Sequence, residues 1–401
     1  MRRAGALVAG ALVAVSLSGC LLDGSLDGFL DSPGTKPSSA RTALPGAEID
    51  PPTLYRRVAP AVVTVISEFG AAEEDGEIGL GTGFATGDGS MIVTNAHVVT
   101  NELDNHRRAN SVNLQLQDGK RVKAEIAGVD PHADIAVLTS KRRVTGRPLK
   151  FATAPARIGE PVMALGSPLG ETYTMSVGYV TGVDRRISGL AGFRIYDAVQ
   201  TDAVITMGNS GGPLVNADGR VLGVNGQILS VGGGGEGLGF AIPAALVKRS
   251  STVLATGETV KYAYLGVEGK PLWRGIEDFA EVPAGPGVLV GEVREGSPAD
   301  RAGLRGGDEE VSAAGSTVAL GGDVITAIGG HELAYNEQLG QALDRFRPGQ
   351  RVTIEFLRDF SEKSVRVTLA ERPLLWPDFW DLFLTKRLRG QRGPAFLPKL
   401  R

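Results

Sequence analysis

Three residues of this chain have side chains that can do chemistry together: His97 in "IVTNAHVV", Asp134 in "HADIAVL" and Ser210 in "TMGNSGGPLV". A serine hydroxyl becomes a nucleophile when a base takes its proton. Histidine is the base available near neutral pH, and a carboxylate orients the imidazole and stabilises its charged form. Each residue alone has a plainer explanation. His97 can be a hydrogen-bonded core histidine, Asp134 can cap a turn, and Ser210 can sit in an ordinary Gly-Ser loop. As a set they match the three roles of acyl transfer. Gly208, Gly211 and Gly212 around the serine let the backbone turn tightly and present N–H groups to a developing oxyanion.

Chain order separates two architectures that could hold such a set. "GNSGG" also satisfies G-x-S-x-G, the strand-to-helix elbow of α/β-hydrolases, but there the order is serine, acid, histidine. Only His331 follows Ser210, and it lies in a "GGHEL" turn of a later segment. The order His97, Asp134, Ser210 is that of chymotrypsin-like enzymes.

The elements that must position these residues are short strands: "AVVTVISEF", "GTGFATGDGSMIVTNAHVV", "SVNLQLQDGKRVKAEIAGVD", "DIAVLTS", "EPVMALGS", "TMSVGYVTGVD", "FRIYDAVQTDA", "GPLVNADGRVLGVNGQI" and "GLGFAIP". Hairpin signals at Gly87-Asp88-Gly89, Asp118-Gly119 and Asp218-Gly219 join several of them. Strands without intervening helices predict antiparallel barrels or a sandwich over residues 53–258. That segment closes with a helix in "PAALVKRSSTVLATG", where Pro243 suits the first turn and Gly257 the cap. Residues 259–373 read as a separate α/β module. It has strands at "YAYLGV" and "GVLVGEV", a short helix capped by Ser297, an amphipathic helix over 334–346, and a closing hairpin at "RVTIEFLRD" and "KSVRVTLAE". "EEVSAAGSTVALG" adds a hairpin-like stretch within it.

Composition excludes several function classes. Lys and Arg number 42 against 45 Asp and Glu, so no overall field recruits nucleic acid. One cysteine forbids an internal disulfide, and four scattered histidines do not build a zinc site, so no metal or organic cofactor is expected. Gly at 56 residues and aromatics at 6% favour tight turns between short strands.

At the amino terminus a basic start at Arg2 and Arg3 precedes the apolar "AGALVAGALVAVSLSG" and then Cys20, which is the pattern of an export signal. "LSGC" resembles the lipobox of bacterial lipoproteins. On that resemblance residues 1–19 are removed, Cys20 is acylated, and the protein is anchored to a membrane of the cell envelope, outside the cytoplasm. A short membrane anchor, or a signal peptide with an incidental cysteine, has the same composition. Residues 20–52 have the Asp, Ser, Gly and Pro content of a flexible tether, about thirty residues with a reach of roughly 30 Å. The tail, 374–401, sets aromatics beside a basic cluster. It reads as an interfacial helix, as a segment packed on the preceding module, or as unstructured chain.

"TNAHVV", "DIAVL", "TDAVITMGNSGGPLV", "VLGVN" and "GLGFAIP" resemble, in order, the HtrA/Deg family of trypsin-like serine endopeptidases. The resemblance implies a mainly β fold: a chymotrypsin-like double β-barrel followed by a PDZ α/β domain. It makes His97 the general base, Asp134 its orienter and Ser210 the nucleophile, with the N–H groups of Gly208 and Ser210 as the oxyanion hole. Thr206 and Met207 stand where the family often has Asn-Pro, on a loop that shapes the pocket.

Val204 and Ile205 occupy the stretch where a trypsin-like pocket would carry its acidic group, and they predict a preference for small or medium aliphatic residues. They also read as core residues, with Asp202 as an acid that could reach the pocket instead. Gly223, Val224 and Asn225 match the strand on which an extended substrate would pair. "GLGF" at 237–240 looks like a PDZ carboxylate loop but precedes "AIP" and a helix, which makes it the last barrel strand. Tyr264, Leu265, Gly266 and Val267 are the better match to that loop, with C-terminal peptides as its ligands. The family further implies unfolded or damaged envelope proteins as substrates and assembly as a homotrimer. A binding or chaperone-like lipoprotein with a latent triad is the alternative.

Overall fold

The computed structural model describes residues 48–70, 77–101, 106–144, 146–167, 174–188, 194–206, 208–230, 237–276, 282–283, 285–313 and 316–374. The readings that fall on residues 1–47, Cys20 among them, on Met207 and on 375–401 lie outside them. The tether expected to run to Pro52 gives way earlier, to helix α1 (Pro51–Val58). Asp50 caps it by accepting from the Thr53 N–H at 3.5 Å, two prolines fit a first turn that needs no donors, and Leu54 and Val58 enter the core.

Val- and Ile-rich segments then close two antiparallel barrels. The first comprises β1 (Val62–Phe69), β2 (Glu77–Thr86), β3 (Met91–Thr94), β6 (Ser111–Gln115), β7 (Arg121–Asp130) and β8 (Ile135–Ser140). The one-turn helix α2 (Ala96–Val99) and a ribbon of β4 (Thr100–Asn101) and β5 (Arg107–Arg108) lie between β3 and β6. Its strand order is β1-β2-β3-β8-β7-β6. The second comprises β9 (Pro161–Gly166), β10 (Thr174–Ser188), β11 (Arg194–Thr201), β12 (Pro213–Asn216), β13 (Val221–Ser230) and β14 (Gly237–Pro243), in the order β10-β11-β14-β13-β12-β9. Both barrels close on themselves and share a core in which Phe84, Ile92, Leu138, Met163, Leu165 and Ile242 are fully buried. "GLGF" is indeed strand, at the start of β14.

Helix α3 (Ala244–Leu254) has Pro243 at its N-cap and Ala255 at its C-cap, earlier than the expected Gly257, which lies in the turn that follows with a left-handed φ of 79°. It covers the end of β7, where Asp130 accepts from Ser250 Oγ at 2.6 Å and Tyr262 Oη at 2.7 Å. Burial raises the pKa of both Asp130 and the Tyr262 phenol.

The second module comprises β15 (Ala263–Tyr264), β16 (Val267–Pro271), β17 (Val288–Val293), α4 (Pro298–Arg301), β18 (Glu309–Ala313), β19 (Ser316–Leu320), β20 (Val324–Ile328), β21 (His331–Glu332), α5 (Leu339–Leu343), β22 (Arg351–Arg358), β23 (Ser361–Thr368) and β24 (Ala370–Glu371). Its main sheet runs β16-β17-β20-β22-β23, so β16 is an edge strand. The "EEVSAAGSTVALG" stretch is the separate β18–β19 hairpin. The helix expected over 334–346 is shorter. Asn336 takes φ 62°, outside the helical region, and Gln338 caps the single turn that follows.

Candidate active site

Strand β3, buried from Ile92 on, ends at Thr94, and Asn95 turns the chain into α2, whose second residue is His97. Antiparallel pairing of β3 with β8 sets Thr94 opposite Ala136, which brings the residue before β8, Asp134, to the same barrel end. Asp134 has φ 52°, a left-handed conformation that aspartate tolerates better than most residues. Its carbonyl accepts from Asn95 Nδ2 at 2.8 Å. Its carboxylate accepts the His97 backbone N–H at 3.0 Å and lies 2.8 Å from His97 Nδ1. A carboxylate only accepts, so Nδ1 carries the proton and Nε2 is the basic atom of the ring. The two side chains are 3% and 14% exposed, so this ion-pairing geometry is largely shielded from water. His106 stands within electrostatic reach of Asp134, and burial lowers its pKa.

Ser210 sits on the turn that enters β12. Thr82, on β2 of the other barrel, binds this turn twice: its N–H donates to the Ser210 carbonyl at 2.8 Å and its hydroxyl to the Gly208 carbonyl at 2.6 Å. The Thr82 hydroxyl in turn accepts from the Ser167 N–H at 2.9 Å, and the Thr82 carbonyl accepts from Thr94 Oγ1 at 2.7 Å. Gly211 has φ 85°, and a Cβ there would fall 2.1 Å from the Thr82 carbonyl and 3.0 Å from the Asn95 nitrogen. Only glycine fits this approach, which sets the residue after Ser210 against the residue that opens the histidine's helix.

From behind, Asn225 is fully buried, accepts from the Gly211 N–H and donates to the Gly212 carbonyl. With the carbonyls of Gly208 and Ser210 engaged by Thr82, their N–H groups have no acceptor among the described residues. Two donors held in this way can receive an oxyanion. Thr82 and Asn95 escaped the sequence reading. Their signal was no more than a small polar residue inside "GTGF" and before "AHVV".

The specificity residues divide. Val204 is 62% exposed, whereas Ile205 is 5% exposed and packs in the second barrel with Val162, Ala203 and Leu214. Asp202 is committed elsewhere, its Oδ1 accepting from the Tyr179 N–H at 2.6 Å. Gly223, Val224 and Asn225 do not form an open edge. Gly223 and Val224 pair with β12, Asn225 bonds the Gly211–Gly212 turn, and all three pair with β14 on the other side. Past a register shift after Asn225, β13 continues to Ser230 with β14 as its partner among the described residues. The strand edge near the serine therefore begins at Gly226.

In the second module, Tyr264 pairs with Ala370 at the end of β15 and Val267 opens β16. Between them the Leu265 carbonyl accepts from Ala299 and the Gly266 carbonyl from Arg294, both at 2.9 Å. Gly266 has φ 87°, and a Cβ there would meet the Ser297 Cβ at 2.1 Å. The N–H groups of Leu265 and Gly266 have no acceptor among the described residues, beside an edge strand. Both β16 and α5 touch the β10–β11 hairpin. Arg194 lies 3.7 Å from Glu268, Arg186 donates to Gln338 at 3.0 Å, and Gln341 donates to Asp197.

Comparison with known proteins matches residues 81–224 to the trypsin-like peptidase domain and residues 263–369 to the PDZ domain. A probable periplasmic serine endoprotease, DegP-like, from Chlamydia trachomatis is 34% identical over 297 residues, covering 73% of this chain and 54% of that protein. The periplasmic serine endoprotease DegP of Escherichia coli K12 is 32% identical over 304 residues, 75% of this chain and 59% of its own length. The chain thus spans little more than half the length of these curated relatives. Among solved structures, the HtrA-type protease AlgW with a tripeptide superposes with a TM-score of 0.66 at 29% identity, covering 82% of this chain and 98% of that one.

Proposed function

Because this chain belongs to the HtrA/Deg family, with a trypsin-like peptidase domain followed by a PDZ domain, we propose that it is a serine endopeptidase whose triad is His97, Asp134 and Ser210. The observation that carries the reading is the pairing of the His97 ring and backbone N–H with the Asp134 carboxylate, at the barrel end to which Thr82 ties Ser210. His97 Nε2 takes the proton of Ser210 Oγ as the oxygen attacks the peptide carbonyl. The N–H groups of Gly208 and Ser210 receive the oxyanion, and the imidazolium returns its proton to the leaving amine. Water, deprotonated by the same ring, then releases the acyl group. No ATP or cofactor enters these steps.

Family membership supports unfolded or damaged envelope proteins as substrates and a location outside the cytoplasm, and the lipobox-like "LSGC" supports Cys20 as the lipid anchor. Exposed Val204 supports an apolar first subsite for small or medium aliphatic residues. The Leu265–Gly266 loop beside β16 supports capture of C-terminal peptides, whose backbone would add a strand to that edge. The contacts of β16 and α5 with β10–β11 support control of the protease by that peptide. Met175, Val177 and Tyr179 face outward from β10 beside Val204, an apolar strip consistent with a homotrimer interface.

The test is cleavage of an unfolded casein-like substrate by the full chain, with and without an apolar C-terminal peptide, beside labelling by a fluorophosphonate. Cleavage and labelling that vanish in Ser210→Ala are expected. A folded wild type that binds peptide but shows neither would replace the enzyme with a binding protein.

A further inference from the structure

Asp130 closes the hairpin on which Asp134 sits. Strand β7 ends at Asp130, which pairs with Ile135 at the start of β8, and residues 131–134 form the turn between them. The Asp130 side chain is buried and braces this turn from inside, its Oδ1 accepting the N–H of Ala133, the residue before Asp134, at 3.3 Å. The Asp134 N–H donates to the Pro131 carbonyl at 3.3 Å. A left-handed aspartate persists only where its surroundings hold it, so the turn that Asp130 braces also fixes the carboxylate that orients His97.

The other oxygen of Asp130 accepts two hydroxyls from different parts of the chain. Ser250, on α3, donates to Oδ2 at 2.6 Å and Tyr262 at 2.7 Å. The Tyr262 ring is buried in the core that the two barrels share, edge-on to His132 of the turn, with 5.0 Å between ring centroids. Its backbone belongs to the PDZ module. The Tyr262 carbonyl accepts from the Arg372 N–H at 2.9 Å, and the next two residues are β15, which pairs with β24 and runs directly into the Leu265–Gly266 loop. Packed cores shift between discrete arrangements rather than deforming smoothly, so a displacement of that loop reaches the turn of Asp134 through Tyr262.

We propose that the hydrogen bond from Tyr262 to Asp130 couples the PDZ loop to the triad, with Asp130 as the positioning residue that acts on Asp134. A peptide that adds a strand to β16 and seats its carboxylate on the Leu265–Gly266 loop favours the arrangement of β15 in which Tyr262 Oη bonds Asp130. The turn then holds Asp134 against His97. Without that bond the Ser250 hydroxyl is left to anchor Oδ2, and the turn is held less firmly. This coupling rests on the triad and the peptide site proposed above.

Tyr262→Phe removes one hydroxyl from Oδ2 and keeps the ring, while Ser250→Ala removes the other. Each leaves the oxygen with one donor, so neither strands the buried carboxylate. In the full chain, kcat/KM on a chromogenic peptide is measured with and without an apolar C-terminal peptide, saturating by calorimetry. That peptide is expected to raise wild type and Ser250→Ala by about fivefold or more, the scale of typical coupling between sites, and Tyr262→Phe by less than about twofold. The downfield proton resonance of His97 Nδ1 should shift with peptide in the first two proteins and stay in place in the third. A stability role alone predicts that the two hydroxyl deletions behave alike. Equal responses in the two variants, whether kept or lost, therefore overturn the proposal. So does loss of peptide binding in Tyr262→Phe, or a wild type that cleaves and binds peptide without being stimulated. A wild type that neither cleaves nor reacts with fluorophosphonate defeats the protease reading instead, and the His97 resonance then decides the coupling by itself.

Discussion

The amide of Thr82, on the first barrel, donates to the carbonyl of Ser210, on the second, at 2.8 Å. Together with the Thr82 hydroxyl on the Gly208 carbonyl, this bond sets the direction of the peptide groups on both sides of the serine. The geometry around Ser210 is thus fixed across two barrels by a residue that takes no part in the proposed chemistry.

Thr82→Val keeps the shape of the side chain but leaves the Gly208 carbonyl and the Ser167 N–H without their partner. An unsatisfied buried group costs about 1–3 kcal/mol, and 1.4 kcal/mol corresponds to about tenfold in rate. We expect kcat to fall by about one to two orders of magnitude with KM little changed. Steady-state kinetics on a chromogenic peptide, with fluorophosphonate labelling rates as a second readout, decide it. An unchanged kcat would mean that the turn holds its shape without the hydroxyl.

Asp134→Asn replaces an acceptor beside Nδ1 with an amide that can donate, favouring the tautomer whose Nε2 is protonated and cannot take the Ser210 proton. In a Ser-His-Asp triad such a change lowers kcat by about 10⁴. The same loss is expected here, with the barrel still folded by circular dichroism. Retention of more than a tenth of the activity would remove Asp134 from the triad.

Buried His132 lies edge-on to Tyr262, 5.0 Å between ring centroids, and burial depresses its pKa to about 3. A histidine whose folded pKa lies below its unfolded value, near 6.5, stabilises the fold above that value and loses the contribution as pH falls towards about 3. The expected slope is about 1.4 kcal/mol per pH unit in that window. His132→Phe removes this dependence, so its stability relative to wild type should rise as the pH falls from 6.5. Urea midpoints at several pH values measure this; parallel curves would show that His132 does not titrate with unfolding.

In the PDZ module Asp323 is buried and accepts from Arg358 Nε at 2.7 Å and Nη2 at 2.8 Å, and from the Arg305 N–H at 2.8 Å. Asp323→Ala strands the guanidinium, and breaking such a buried pair costs about 3–5 kcal/mol. Loss of C-terminal peptide binding is expected while Ser210 still reacts with fluorophosphonate. Wild-type peptide affinity in a calorimetric titration would refute the importance of the pair.

The sequence by itself determined a strand-rich domain, barrels or a sandwich, and a separate α/β module, because short Val- and Ile-rich strands between glycine turns have few other ways to bury their faces; the double barrel and the PDZ fold were what the family resemblance implied. It also contained the residue types and order of a His-Asp-Ser set, which chemistry restricts to a few roles. It did not determine which backbone edges remain open. Gly223, Val224 and Asn225 look like an exposed strand until pairing with β14 and with the chain around the serine uses both of their sides. Ile205 reads equally as a pocket and as a core residue, and only the closed barrel shows how deeply it is buried. The helix expected over 334–346 shrinks because the left-handed turn at Asn336 outweighs local helix propensity. The roles of Thr82, Asn95 and Asp130 exist only through contacts between distant segments, 85 residues apart for Thr82 and Ser167. Hydrogen bonds of this kind are properties of such juxtapositions, so tertiary structure alone decided them.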